Sequence, residues 1–231
     1  LHAVSAGESI AAAPLVEALL AQGHTLVLST TTPTGRAQLM RQFSGRAVIC
    51  YGPFDAQRCI KRFLNQVRPK LALMIETEIW PNWMTACASR EIPVALLNAR
   101  LSERSFQGYR KLGSMMGATL RQFSWIAVQS TAHANRFAAL GANADQLSVT
   151  GSIKADQVRP ADYTEQVTLI RTKCGHRTLL LAASTHPGEE QILLASFMAL
   201  KVTHPDLLMV LVPRHVQRVS ALQTLSAQMG L

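Results

Sequence analysis

Two glutamates one residue apart, Glu76 and Glu78, close an apolar run in "KLALMIETEIWPNW", residues 70–83, and a Trp-Pro-Asn then turns the chain. Carboxylates at the end of a buried strand are costly to desolvate, so their presence there calls for a reason, and an edge that faces a ligand would supply one. A third acid, Glu8, follows the turn Ser5-Ala6-Gly7 after "LHAV". It is either the ordinary acid of a helix first turn, favoured by the macrodipole, or a group facing a ligand that Gly7, lacking a Cβ, lets approach closely.

Other polar residues recur where apolar runs stop. Thr30-Thr31-Thr32-Pro33-Thr34-Gly35-Arg36 follows "TLVLS", and Asn98-Ala99-Arg100 follows "PVALL". Gln129-Ser130, Gly151-Ser152-Ile153-Lys154, Ser184-Thr185-His186 and Pro213-Arg214-His215 complete the series. In open α/β sheets ligands bind outside the carboxyl ends of the strands, so these residues together describe one ligand-binding edge. The hydroxyl-rich stretch from Thr30 resembles an anion cradle. However, it lacks the spacing of a nucleotide triphosphate loop, and no G-x-G-x-x-G is present. Ser184 to Glu190 reads as a helix N-terminus with capping hydroxyls and early acids. Its free N–H groups would also suit a phosphate. There is no D-x-D pair, and the seven histidines are scattered, so no dedicated metal site is expected.

The elements that must position these residues are short. "HAVS", "TLVLST", "AVICYG", "LALMIE", "PVALLN", "WIAVQS" and "QLSVTG" have the length and Val/Ile/Leu content of parallel strands buried on both faces. Helical periodicity fills the gaps. In "AQRCIKRFLNQVR", Ile60, Phe63, Leu64 and Val67 share one stripe and Arg58, Lys61 and Arg62 the other. Pro14 inside the first helical run predicts either a kink or a start near residue 13. Residues 156–177 break the rhythm with no strand. Alternation then resumes with "TLLLAAST", "GEEQILLASFMALKVT", "LLMVLVPRH" and a last helix from about Val216. The expectation is α/β, with an N-terminal domain over 1–156 and a partial C-terminal domain over 157–231. Two strands are few for an independent sheet, and the chain opens on Leu1 inside a strand, so both ends read as cut short.

Four cysteines, Cys50, Cys59, Cys87 and Cys174, form no C-x-x-C pair and read as free thiols. No apolar run reaches the roughly 18–20 residues of a membrane span. The net charge of +9 arises between Arg36 and Arg121, where fourteen Lys/Arg face five acids. Such a field suits phosphates, nucleic acid or an anionic membrane, or is a solvated face with no partner. The few aromatic residues do not interleave with the cations, which argues against nucleic acid.

The ordered series "HAVSAGE", "STTTPTGR", "ETEIWPN", "LLNARLSERSFQGYRKL", "VTGSIKAD", "AASTHPGEE" and "VPRH" resembles the 3-deoxy-D-manno-octulosonic acid (Kdo) transferases of lipopolysaccharide synthesis over essentially the whole chain. The resemblance implies a GT-B architecture, two Rossmann-like domains facing each other across a cleft, the second incomplete here. It implies an inverting, metal-free and cofactor-free transfer of Kdo from CMP-Kdo to a hydroxyl of the lipid A precursor. The setting would be the cytoplasmic face of the bacterial inner membrane, on an anionic surface, with an anchoring segment expected ahead of Leu1. By position Glu8 would be the general base, Glu78 and Lys154 transition-state stabilisers, and Pro213 and Arg214 contacts to CMP. Ser5, Gly7, Thr32, Asn98, Arg100, Ser184 and His186 are further candidate contacts. The alternatives are another GT-B enzyme using a UDP-sugar, or a transferase fragment without activity.

Overall fold

A computed structural model of the chain describes residues 1–156 and 162–231. It divides into two compact units, Leu1–Val158 and Arg159–Leu231. The expected boundary between residues 156 and 157 lies outside the described residues.

In the first unit the strands are β1 (Val27–Thr30), β2 (Val48–Tyr51), β3 (Ala72–Ile75), β4 (Val94–Ala99), β5 (Trp125–Val128) and β6 (Leu147–Val149). They alternate with helices α1 (Ala6–Ala21), α2 (Pro33–Phe43), α3 (Gln57–Val67), α4 (Pro81–Ala88), α5 (Glu103–Arg110), α6 (Ser114–Leu120) and α7 (Thr131–Ala139). β1 pairs with β2, and β3 to β6 pair in sequence order, every pair parallel. The two groups are joined by the first residues of the chain. His2 bridges Ser29 on one side and Met74 on the other, both in parallel. His2 N–H donates to Leu73 O at 2.8 Å and Ala3 N–H to Ser29 O at 2.9 Å. The order across the sheet is therefore β2, β1, residues 1–4, β3, β4, β5, β6. From residues 1–4 the chain winds first toward β2 and then, through α3, toward β6. This makes the gap between residues 1–4 and β3 the switch point of a doubly wound fold.

Why these runs become central strands is visible in their burial. Ala3, Leu28, Ile75, Leu96, Ile126 and Val128 are all at 0% exposure, which only helix cover on both faces allows. His2 is drawn into this core: its ring hydrogen-bonds Ser29 Oγ at 2.9 Å and lies 5.3 Å from the Trp83 ring. Burial holds its pKa down to about 4, so it packs there as a neutral ring.

The second unit contains α8 (Tyr163–Cys174), β7 (Thr178–Thr185), α9 (Glu189–Thr203), β8 (Leu207–Pro213) and α10 (Val219–Gln228), with β7 and β8 parallel. α8 fills a stretch that sequence reading left without an element. Polar residues at most positions hide its 3.6 period, because it buries only Cys174. α1 differs too. It starts at Ala6 and runs through Pro14 without restarting, since the Ser5 cap and early burial of Ser9, Ala11 and Ala12 begin the helix before the proline. Among the described residues no helix is long and apolar enough to cross a membrane.

Candidate functional site

At the switch point, residue 4 feeds α1 and residue 75 feeds the turn that carries Glu76 and Glu78. Ser5 caps α1, its Oγ accepting from Glu8 N–H at 3.3 Å. Glu8 answers with both carboxylate oxygens: Oε2 accepts Val4 N–H at 2.7 Å and Oε1 accepts Ser5 Oγ–H at 2.9 Å. This reciprocal cap is a displaced form of the capping box. It holds the carboxylate half-buried at the head of the helix. Burial raises the Glu8 pKa, the hydrogen bonds from Ser5 and Val4 oppose the rise, and the charge of Glu76 adds to it.

The threonine run builds the floor beneath this turn. Thr30 Oγ1 donates to Val4 O at 2.8 Å and Thr32 Oγ1 to the same carbonyl at 3.0 Å. Thr32 also caps α2, accepting Gly35 N–H at 3.1 Å. Gly35 lies against this floor: a Cβ there would meet the Thr30 hydroxyl, Thr32 Oγ1 at 2.9 Å and the Ser5 carbonyl carbon at 3.3 Å. The stretch that resembled an anion cradle thus turns its Thr30 and Thr32 hydroxyls toward Val4 and supports Glu8 from behind.

Across the gap, β3 stops at Ile75 because Glu76 adopts a left-handed backbone, φ 66°. Strict strand alternation does not govern the two acids, yet both lie near Glu8. Burial pushes the Glu78 pKa up to about 7, and the charges of Glu8 and then Glu76 add to the rise. Trp80 Nε1–H partly offsets it by donating to Glu78 Oε2 at 2.7 Å. Tyr109 shares this neighbourhood: its phenol is pushed up by burial and by the charge of Glu78. The turn is fastened from outside by Asp55, whose carboxylate accepts Trp83 N–H at 3.0 Å and Asn82 N–H at 3.3 Å, capping α4 from the loop after β2.

Glu76 takes two cations. Its Oε2 is 3.1 Å from Arg100 Nη2 and its Oε1 4.0 Å from Lys154 Nζ. Lys154 belongs to a short 3₁₀ turn, Ile153–Asp156, that packs against α1. Asn98, at the end of β4, anchors the same turn by accepting Ile153 N–H at 3.2 Å. Glu8, Glu78, Lys154, Ser5, Asn98 and Arg100 therefore gather at one sheet edge. Gly7 is exposed in the first turn of α1, and Thr32 is engaged beneath it.

Ser184, His186, Pro213 and Arg214 belong to the second unit and gather at the carboxyl ends of β7 and β8. Ser184 has φ 61° where the β7–β8 register shifts. Arg214 N–H donates to Thr185 O at 3.0 Å, and the rings of His186 and His215 meet edge-on at 6.4 Å. α9 begins at Glu189, whose Oε2 accepts His186 N–H at 2.7 Å in the turn ahead of the helix; Gly188, which offers no side-chain cap, takes the N-cap position in place of the expected hydroxyls. Among the described residues no three His, Cys, Asp or Glu side chains converge as a metal-ligand set. Trp80, Asp55 and Tyr109 were not read as site residues. Of these, Trp80 and Tyr109 carried a signal, their places in "ETEIWPN" and "LLNARLSERSFQGYRKL".

Comparison with known proteins adds the family. The 3-deoxy-D-manno-octulosonic-acid transferase (kdotransferase) family matches residues 1–157. The chain is 39% identical over 228 residues to the 3-deoxy-D-manno-octulosonic acid transferase of Haemophilus influenzae, covering 97% of this chain and 53% of that protein. For the Bordetella pertussis protein of the same name the identity is 34%, over 94% of this chain and 52% of the relative. The chain thus spans about half the length of these curated relatives. Among solved structures, UDP-GlcNAc 2-epimerase from Neisseria meningitidis superposes with a TM-score of 0.67 at 16% identity, over 98% of this chain and 68% of the epimerase. At that identity the likeness is one of fold, the GT-B type.

Proposed function

This chain belongs to the Kdo transferase family, and from that premise we propose that it serves an inverting transfer of Kdo from CMP-Kdo to a hydroxyl of the lipid A precursor, lipid IVA. The observation that carries the proposal is the pairing at the switch point. The half-buried Glu8 carboxylate, fixed by Val4 N–H and Ser5 Oγ–H, lies within electrostatic reach of Glu78, and both have raised pKa values.

As CMP departs, positive charge grows on the ketose ring and the attacking hydroxyl must lose its proton. Glu8 is the base: burial brings its pKa toward the working pH, where proton transfer is most effective. Glu78 faces the growing charge. It is neutral and ionised in comparable amounts near pH 7, and a nearby cation favours the ionised form as it develops. Lys154 supplies a fixed cation for substrate anions. In the second unit, Pro213 and Arg214 contact CMP. The leaving group bears one phosphate, which is why no metal is invoked.

The acceptor is an acylated, phosphorylated disaccharide in a membrane leaflet. Arg58, Lys61 and Arg62 are all exposed on α3. They support attraction to an anionic surface, worth about 1 kcal/mol per charge near the membrane. Liposome binding that ignores both salt and anionic lipid content would remove this part of the proposal.

The decisive assay uses the full-length protein with CMP-Kdo and lipid IVA. Glu8→Gln and Glu8→Ala should each lose about 10²–10⁴-fold in turnover. Wild-type rates in both would remove Glu8 as base, and turnover with a UDP-sugar in place of CMP-Kdo would assign the fold to another donor.

A further inference from the structure

Two residues other than glycine adopt left-handed backbones at the ends of neighbouring strands: Glu76 after β3, φ 66°, and Asn98 in β4, φ 56°. Asparagine tolerates this region better than most residues, whereas for glutamate it is uncommon. At Asn98 the β4–β5 register shifts, between Leu96 and Ala99. Backbones of this kind persist where surrounding contacts hold them, and they cluster where a side chain must be aimed.

Both side chains serve the same short segment. Asn98 is 3% exposed, and its Oδ1 accepts Ile153 N–H at 3.2 Å and Gln129 Nε2–H at 2.9 Å. The Glu76 side chain is 13% exposed and draws in the ammonium of the next residue, Lys154, at 4.0 Å. One residue thus holds the backbone of the turn and the other the head of its lysine. Lys154 and Arg100 keep side-chain exposures of 54% and 56%. Both cations therefore stay accessible to a substrate anion while they hold Glu76.

We propose that Glu76 and Asn98 are positioning residues that hold the Ile153–Asp156 turn against the sheet edge, so that the Lys154 ammonium is presented beside the Glu8–Glu78 pair. The purpose of this tether rests on the role given to Lys154 above; the tether itself rests on the contacts alone.

Two measurements test it, both on the full-length protein. Trypsin cleavage after Lys154, followed by mass spectrometry, reads how firmly the turn is held. Glu76→Gln and Asn98→Gly should speed that cut by about three- to tenfold while leaving cuts elsewhere unchanged. Asn98→Gly suits the left-handed backbone and so separates loss of the tether from failure to fold. Asn98→Asp keeps an acceptor oxygen at the Oδ1 position and should restore slow cleavage. In the transfer assay, Glu76→Gln and Asn98→Gly should each lower kcat about tenfold with KM little changed, and neither should lower it further in a Lys154→Ala background. Unchanged cleavage in both variants, or losses that simply multiply with Lys154→Ala, would overturn the proposal. Wild-type turnover in Lys154→Ala itself would instead overturn the role of Lys154, with accelerated cleavage still supporting the tether.

Discussion

The indole N–H of Trp80 donates to Glu78 Oε2 across 2.7 Å, and it opposes every other influence on that carboxyl. Burial and the charges of Glu8 and Glu76 favour the neutral acid, while the indole favours the carboxylate. Replacing Trp80 by Phe keeps the ring and deletes the donor. The Glu78 pKa should then climb from about 7 by about one unit. Carboxyl-carbon NMR titration reads it directly.

Glu78 also imprints a pH dependence on stability. Its carboxyl holds a proton up to about 7 in the fold but releases it near 4.5 when unfolded. Across that window the native state binds more protons, so stability falls as pH rises and levels off above the folded value. Glu78→Gln lacks this penalty. Its thermal melt should match wild type near pH 4 and exceed it at pH 8, by about 1–2 kcal/mol once partial solvent screening is allowed for.

Asp55 caps α4 from a distant loop, accepting Trp83 N–H and Asn82 N–H. Asp55→Ala should cost about 1–2 kcal/mol in urea unfolding. Because α4 follows directly on Trp80, the variant should also weaken the Trp80–Glu78 contact and lower transfer. Asp55→Asn, which keeps one acceptor oxygen, should recover most of both.

Gly35 is where α2 meets the Ser5 turn. A methyl group there would press on the Thr30 and Thr32 hydroxyls and the Ser5 carbonyl carbon. Gly35→Ala should destabilise by about 1–3 kcal/mol. It should also reduce transfer beyond what the lost stability explains, since the displaced atoms support Glu8. Residual turnover of correctly folded protein, measured below the melting transition, separates the two effects.

Strand positions were legible because buried parallel strands write themselves as short apolar runs: "LALMIE" contains β3 and "PVALLN" covers β4 up to its last residue, Ala99. The rule that ligands gather at carboxyl ends then directs attention to Glu8, Glu76, Glu78 and Lys154 before any coordinate is known. What escaped had no local signature. Nothing in the type of Glu76 announces a left-handed backbone, and an asparagine such as Asn98 tolerates one without requiring it. The Asp55 cap joins residues 27 and 28 positions apart, a pairing only the folded chain creates. The start near residue 13 that Pro14 suggested gives way to a helix already nucleated by its cap, and α8 was hidden because its apolar residues, Leu169 and Ile170 among them, stay exposed and mark no buried stripe.

Residues 1–4 stitch the β1–β2 pair to the four strands beyond, and Glu8 hangs from the end of that stitch. Pulling the thread would part the sheet and carry away the proposed base in a single event. Joining the two strand groups and setting the proposed base in place therefore depend on the same four residues.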